Sequence, residues 1–318
     1  MKQLGRGIIA ALRTFIFFIK KRWIRIKTEY LGRGLVTAFG IFIILLTLSI
    51  LIFLAYRGSS TFAVHGHSII EFLFSRKWDP GEAGKTGSVG AAVFIVGSLE
   101  VSGLALLIST PFSIAMAVFM SEISPKLGRR FVRPVVEIFV GIPSVVYGWL
   151  GLTVLVPFVA GLFSLRFGFS VLTAAIVLAI MIFPTITSVA ADALSSTPAD
   201  YNDASYALGS TRWQMIWRVK LRAARSGILT GVVLGLTRAF GEALAVAMVV
   251  GQSNKFAQGL LSPTNVITAV ITANMGNTVN GSDYNDALWT LAFLLLLISL
   301  LFIIVIRVIS SRGKREKT

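Results

Sequence analysis

Residues 203–221 read DASYALGSTRWQMIWRVKL, a polar stretch set between two long apolar segments. Just before it, Thr197, Pro198 and Asp200 occupy the places of an N-cap, a first helical residue and a first-turn acid, which predicts a helix over Pro198–Leu208. Gly209 then stands where a left-handed residue closes a helix. Thr211 and Gln214 have the spacing of a capping box and start a second helix at Arg212. A helix–glycine–helix hairpin between apolar segments suits a grip from outside the bilayer. An amphipathic helix lying on the membrane surface is the alternative reading.

Working outward, the 318 residues are 55% hydrophobic and 14% charged, with a mean hydropathy of +0.80. A water-soluble domain cannot hide that much apolar surface. Six runs approach or exceed the ~20 residues needed to cross a bilayer. They cover residues 35–56, 90–119, 134–159, 170–191, 226–251 and 288–309, with Pro111, Pro143, Pro157 and Pro184 interrupting them. The expected fold is an all-α membrane protein with six transmembrane helices. Cysteine is absent, which excludes disulfides and thiolate metal ligands.

The net charge of +16 would suit nucleic acid, but its distribution excludes that reading. Lys and Arg number nine in residues 1–34, four in 126–133, five in 212–225 and five in 307–318, against six in the alternate loops. This alternation predicts that both termini and the hairpin are cytoplasmic, with the basic tracts on membrane lipid. Residues 8–27 mix Ile and Phe with Lys and Arg, as a surface-lying segment does. The full-length first span predicts an uncleaved anchor rather than a removable signal.

These features divide the chain into a basic segment 1–34, a first span 35–56, an external loop 57–88, a transmembrane domain 89–311 carrying the hairpin 192–225, and a basic tail 312–318. His65 and His67 read as ordinary loop residues, because two ligands without partners make a poor metal site. Gly84-Lys85-Thr86 is no phosphate-binding loop, since Asp79 stands where the first glycine belongs. Asn280-Gly281-Ser282 reads as a turn.

The fifth apolar run contains LTRAFGEALAV (236–246). Each charge at a helix centre costs about 2.5–3.5 kcal/mol on insertion scales, so Arg238 and Glu242 should avoid lipid. Four residues apart on one helix, they are placed to pair. Such a pair either lines a substrate path or only fixes helix packing. An interior guanidinium suits an oxyanion, and Glu242 would offset its charge. Gly227, Gly231, Gly235 and Ala239 recur every fourth residue, which predicts a strip of close helix approach. Glu100 and Glu137 also fall in or near spans. Glu137 sits near a border, and Glu100 has no evident partner.

The hairpin resembles the signature loop of bacterial ABC-importer permeases: E-A-A, three residues, G, nine residues, I-x-L-P. Asp203, Ala204 and Ser205 stand for E-A-A, Gly209 for the glycine, and Val219, Leu221 and Arg222 for I, L and P, with Arg222 departing from the pattern. The runs VGIPSVVYGWLGL (140–152), LRAARSGILTGVVLGLTRAFGEALAVAMVVG (221–251) and ITANMGN (271–277) are similar to the PstC family of phosphate-importer permeases, over about residues 35–309. The resemblance implies a type I ABC importer permease core preceded by one extra N-terminal span. It implies that the hairpin docks on an ATPase and that Arg238 and Glu242 serve permeation. It also implies three partners: a PstA-like second permease, a PstB-like ATPase homodimer and a PstS-like extracytoplasmic phosphate-binding protein. The chain is then a transport subunit of the bacterial inner membrane, neither an enzyme nor a holder of a cofactor. A permease for molybdate, sulfate or iron, and an ion-coupled secondary transporter, are the other readings.

Overall fold

A computed structural model describes residues 31–80 and 87–315. The expected surface segment 8–27, Gly84-Lys85-Thr86 and the last three residues lie outside the described residues. The chain divides into two compact units, Met1–Tyr56 and Arg57–Thr318. In the first, the described residues are helical and expose Phe39, Phe42, Ile43 and Leu45, as a lipid-facing span does.

The helices are α1 (Leu31–Ala63), α2 (Ile69–Phe74), α3 (Ala92–Val118), α4 (Pro125–Leu127), α5 (Arg133–Gly141), α6 (Ser144–Leu150), α7 (Val156–Leu162), α8 (Val171–Ser195), α9 (Asp200–Ala207), α10 (Arg212–Gln214), α11 (Leu221–Ala223), α12 (Arg225–Gly241), α13 (Leu244–Val249), α14 (Ile267–Asn274) and α15 (Asp283–Arg315). Wider π-helical turns extend α3 through Phe119–Ile123 and link α10 to α11 through Met215–Lys220. The segment after α1 is not wholly loop. It holds α2 and a two-stranded antiparallel ladder, β1 (Trp78–Asp79) with β2 (Ser88–Val89).

α1 continues past Tyr56 to Ala63. Within the second unit, Thr61 Oγ1 lies 2.6 Å from Thr290 Oγ1, and the Gly58 carbonyl accepts from Thr290. Packing on α15 carries the helix beyond its apolar run. His65 and His67 are not bare loop residues. His65 Nε2 lies 3.1 Å from Asp286 Oδ2, and His67 Nε2 lies 2.8 Å from Asp283 Oδ1. Each histidine has its own carboxylate, and no group of three or more potential metal ligands forms among the described residues.

Five described helices are long and apolar enough to cross a membrane: Gly32–Ala63, Ala92–Ile123, Ser144–Leu162, Val171–Ser195 and Asp283–Val305. Two of the expected spans are divided. The run 134–159 breaks between α5 and α6, where Ile142 and Pro143 are extended. Pro143 has no N–H for the Phe139 carbonyl, and Tyr147 Oη supplies that hydrogen bond instead at 2.8 Å. The run 226–251 breaks between α12 and α13, where Glu242 is extended at φ −77°, ψ 119°. The apolar run 226–251, expected as one span, is therefore two helices.

The largest apolar cluster joins Val101 and Ala105 of α3, Leu178 and Ile182 of α8, and Val246 and Val249 of α13. A second gathers Phe72, Phe94, Ile267 and Leu288, and a third joins Val118 and Leu194 to Met215 and Ile216 of the hairpin. The glycines of α12 face α8. A Cβ on Gly235 would lie 2.6 Å from Ile186, one on Gly231 would lie 3.2 Å from Val189, and one on Gly227 would collide with Ala193. The two backbones therefore approach more closely than larger residues permit.

Candidate functional site

Arg238 lies in the last turn of α12, three residues before the helix ends. Its Nη1 donates to Thr185 Oγ1 at 3.0 Å, across the α8–α12 contact. Thr185 follows Pro184, inside α8. The position favours a cation, because the last carbonyls of a helix carry partial negative charge. Tyr147 of α6 lies within electrostatic range of the same guanidinium.

Glu242 sits on the other side of the break. Its Oε1 accepts from the Ala245 N–H at 3.2 Å, and so caps the first turn of α13. Its backbone carbonyl accepts from Thr268 Oγ1 of α14 at 2.9 Å. Arg238 and Glu242 therefore do not pair. The expected i,i+4 arrangement needs a continuous helix, and the helix stops at Gly241. Each charge is held by a separate helix end. The guanidinium has no ion pair among the described residues, so most of its donors are not committed to a carboxylate.

α14 supports this break and went unpredicted, because eight residues are too few to span a membrane. Its Ile267 N–H donates to Ser98 Oγ of α3 at 3.0 Å. Thr185 carries no charge signal in the sequence, and only its contact with Arg238 marks it.

The hairpin departs from expectation at its start. α9 begins at Asp200 and has no side-chain cap, while Thr197 Oγ1 donates to the Leu194 carbonyl and closes α8 instead. The turn follows the glycine signal: Gly209 has φ +75°, and its N–H donates to the Tyr206 carbonyl at 2.9 Å. Ser205 is buried beneath it, its carbonyl accepting from Ser210 Oγ at 2.7 Å. Thr211 and Gln214 form the capping box in both directions. Asp203, Ala204 and Gly209 are exposed, whereas Val219 and Leu221 are half-buried. Trp213 and Trp217 stack at 6.0 Å on the exposed face, beyond anything the spacing indicated.

Glu137 is bound to Arg133 Nε at 3.1 Å, and Arg133 Nη1 also lies 3.4 Å from Asp192 Oδ1. Glu100 is exposed on α3. A cavity of ≈ 580 Å³ between α3, α5 and α8 is lined by Phe112, Phe131, Phe139 and Phe183. Its apolar surface offers nothing to an anion, so the polar break is the better site.

The hairpin thus holds an exposed turn with a positive-φ glycine and a reciprocal cap, and it follows α8, one of the helices long and apolar enough to cross a membrane. Residues 109–315 match the family described as binding-protein-dependent transport system inner membrane component. The chain belongs to this family. This permease is 47% identical to the probable ABC transporter permease protein YqgH of Bacillus subtilis, over 93% of this chain and 95% of that protein. It is 34% identical to the phosphate transport system permease protein PstC of Pasteurella multocida, over 91% and 93% respectively. A chain of a bacterial alginate ABC transporter shares its fold at 18% identity, with a TM-score of 0.60, over 91% of this permease and 97% of that chain. The permease is thus an inner-membrane subunit of an ABC importer, a class that works with an ATPase and a binding protein.

Proposed function

We propose that this permease carries phosphate, forming the path with a second, PstA-like permease. The observation that carries the reading is Arg238. Its guanidinium is fixed by Thr185 at a helix break and has no carboxylate partner among the described residues. Discontinuous helices are where transporters place substrate sites. A guanidinium offers paired N–H donors that match a tetrahedral oxyanion. The relatives named PstC supply the substrate class.

The hairpin receives a PstB-like ATPase homodimer through the exposed surface around Asp203, Ala204, Gly209 and the Trp213–Trp217 stack. Ser205, Val219 and Leu221 hold that surface in shape. A PstS-like protein delivers phosphate from the opposite side. The basic tracts support a cytoplasmic hairpin and cytoplasmic termini. Movement of the hairpin reaches the break through α12, which follows α11 across the single residue Ala224.

Molybdate and sulfate present the same oxygen geometry, so competition decides between them. In proteoliposomes holding the assembled complex, radiolabelled phosphate uptake should resist excess molybdate and sulfate. Arg238→Gln should abolish uptake while the complex assembles. Uptake displaced by either competitor overturns the phosphate reading, and full uptake by Arg238→Gln overturns the site.

A further inference from the structure

The hairpin is fastened to a third helix besides the two that run into it. Lys220, in the π-helical turn between α10 and α11, donates Nζ to Glu122 Oε1 at 2.7 Å. Both side chains are only 8% exposed. Glu122 belongs to the π-helical end of α3. Arg212, placed by the capping box at the first residue of α10, donates Nη2 to the carbonyls of Glu122 and Ile123, the latter at 3.0 Å. Those carbonyls lie at a helix end, where the helix itself supplies no N–H. Beside the polar contacts, Met215 and Ile216 share an apolar cluster with Ala117, Val118 and Met120.

The chain connects the hairpin covalently to α8 and α12 only, and α12 is set off from α11 by Ala224 at φ −83°, ψ −2°. α3 has no such connection. Its hairpin end is held by one buried ion pair, two charge-assisted hydrogen bonds and one apolar patch. A buried pair resists separation, since parting the two charges leaves each desolvated and unpaired. It therefore fixes register between the elements that carry it.

We propose that Lys220, Glu122 and Arg212 form a latch that makes the hairpin and the adjoining end of α3 one moving body. ATP-driven displacement of the hairpin then reaches α3 directly. α3 packs along α8, which carries Thr185, so the latch gives the Arg238 site a third mechanical input besides α8 and α12. Lys220 and Arg212 are positioning residues and touch no substrate. The proposal rests on the docking role given to the hairpin above.

The chain has no cysteine, so Glu122→Cys with Lys220→Cys can be bridged by a short bis-methanethiosulfonate reagent in a complex whose other subunits lack cysteine. Phosphate uptake and ATP hydrolysis are measured before bridging, after it, and after reduction. The unbridged cysteine pair lacks the ion pair and should couple as poorly as Lys220→Met, and one moving body requires that the bridge raise uptake per ATP again and that reduction reverse the gain. Lys220→Met should lower uptake per ATP by about tenfold, and the charge exchange Glu122→Lys with Lys220→Glu should restore most of it. Arrest of uptake by the bridge, reversed on reduction, overturns the latch, and so does normal coupling in Lys220→Met. If Lys220→Met does not assemble, the bridge and the charge exchange still decide. Failure of the ATPase to co-purify with the unaltered permease would instead sink the docking reading.

Discussion

Arg238 and Glu242 stand four residues apart on opposite sides of the end of a helix. Arg238 lies in the last turn of α12 with its guanidinium on Thr185, and Glu242, in the extended break beyond, caps α13 with its carboxylate on the Ala245 N–H. The charges are separated by a break in the backbone, and each is stabilised by a helix terminus. The Arg238 guanidinium thus has no ion pair among the described residues.

This separation makes a direct prediction about compensation. A structural ion pair would tolerate neutralisation of both members, because no unpaired charge is left. Arg238→Gln with Glu242→Gln should instead stay as inactive as Arg238→Gln alone. Loss of a charge-assisted contact to substrate should lower uptake by about 10–100-fold. Initial rates in proteoliposomes read this, and recovery in the double variant would restore the purely structural view.

Thr185 should orient the guanidinium through its hydroxyl. Thr185→Val preserves the shape and removes the acceptor, at a cost of about 1–2 kcal/mol in holding Arg238, or roughly tenfold in apparent phosphate affinity. Thr185→Ser should retain affinity near that of the unaltered protein. Equal behaviour of the two variants in binding titrations would refute the role.

Gly209 has φ +75°, with nothing within 4 Å of where a Cβ would stand. The cost of a side chain is therefore backbone strain rather than collision. Gly209→Val should strain the turn by about 1–2 kcal/mol. Membrane insertion should be intact while ATPase co-purification falls. Gly209→Asn, which tolerates the left-handed region better, should dock more fully than valine.

Tyr147 Oη replaces the N–H that Pro143 lacks, at the break between α5 and α6. Tyr147→Phe leaves the Phe139 carbonyl unpaired and should destabilise the detergent-solubilised protein by about 1–3 kcal/mol, seen as a lower melting temperature. An unchanged melting temperature would show that another donor reaches that carbonyl.

Gly235 meets Ile186 at the α8–α12 contact. Gly235→Leu should force the helices apart at a cost of about 1–3 kcal/mol, whereas Gly241→Ala, with open space around it, meets no such collision. Thermal stability of the two variants side by side tests the contact.

The sequence by itself determined the features that depend on neighbouring residues. Apolar run length marked five of the six expected spans, Gly209 marked the left-handed turn, and Thr211 with Gln214 marked the reciprocal cap. Pro143 announced its break by lacking an N–H. Tertiary structure decided what depends on distant partners. Thr185 and Arg238 are 53 positions apart, and Glu122 and Lys220 are 98 positions apart. No local periodicity encodes either contact. The end of α12 at Gly241 belongs to the same class: a helical reading of LTRAFGEALAV pairs Arg238 with Glu242. In the folded chain, Thr268 takes the Glu242 carbonyl and Glu242 turns to cap α13. Hydrogen bonds made across the fold replace those the continuous helix would have made, and the packing of α14 against α3, α13 and α15 brings Thr268 into place.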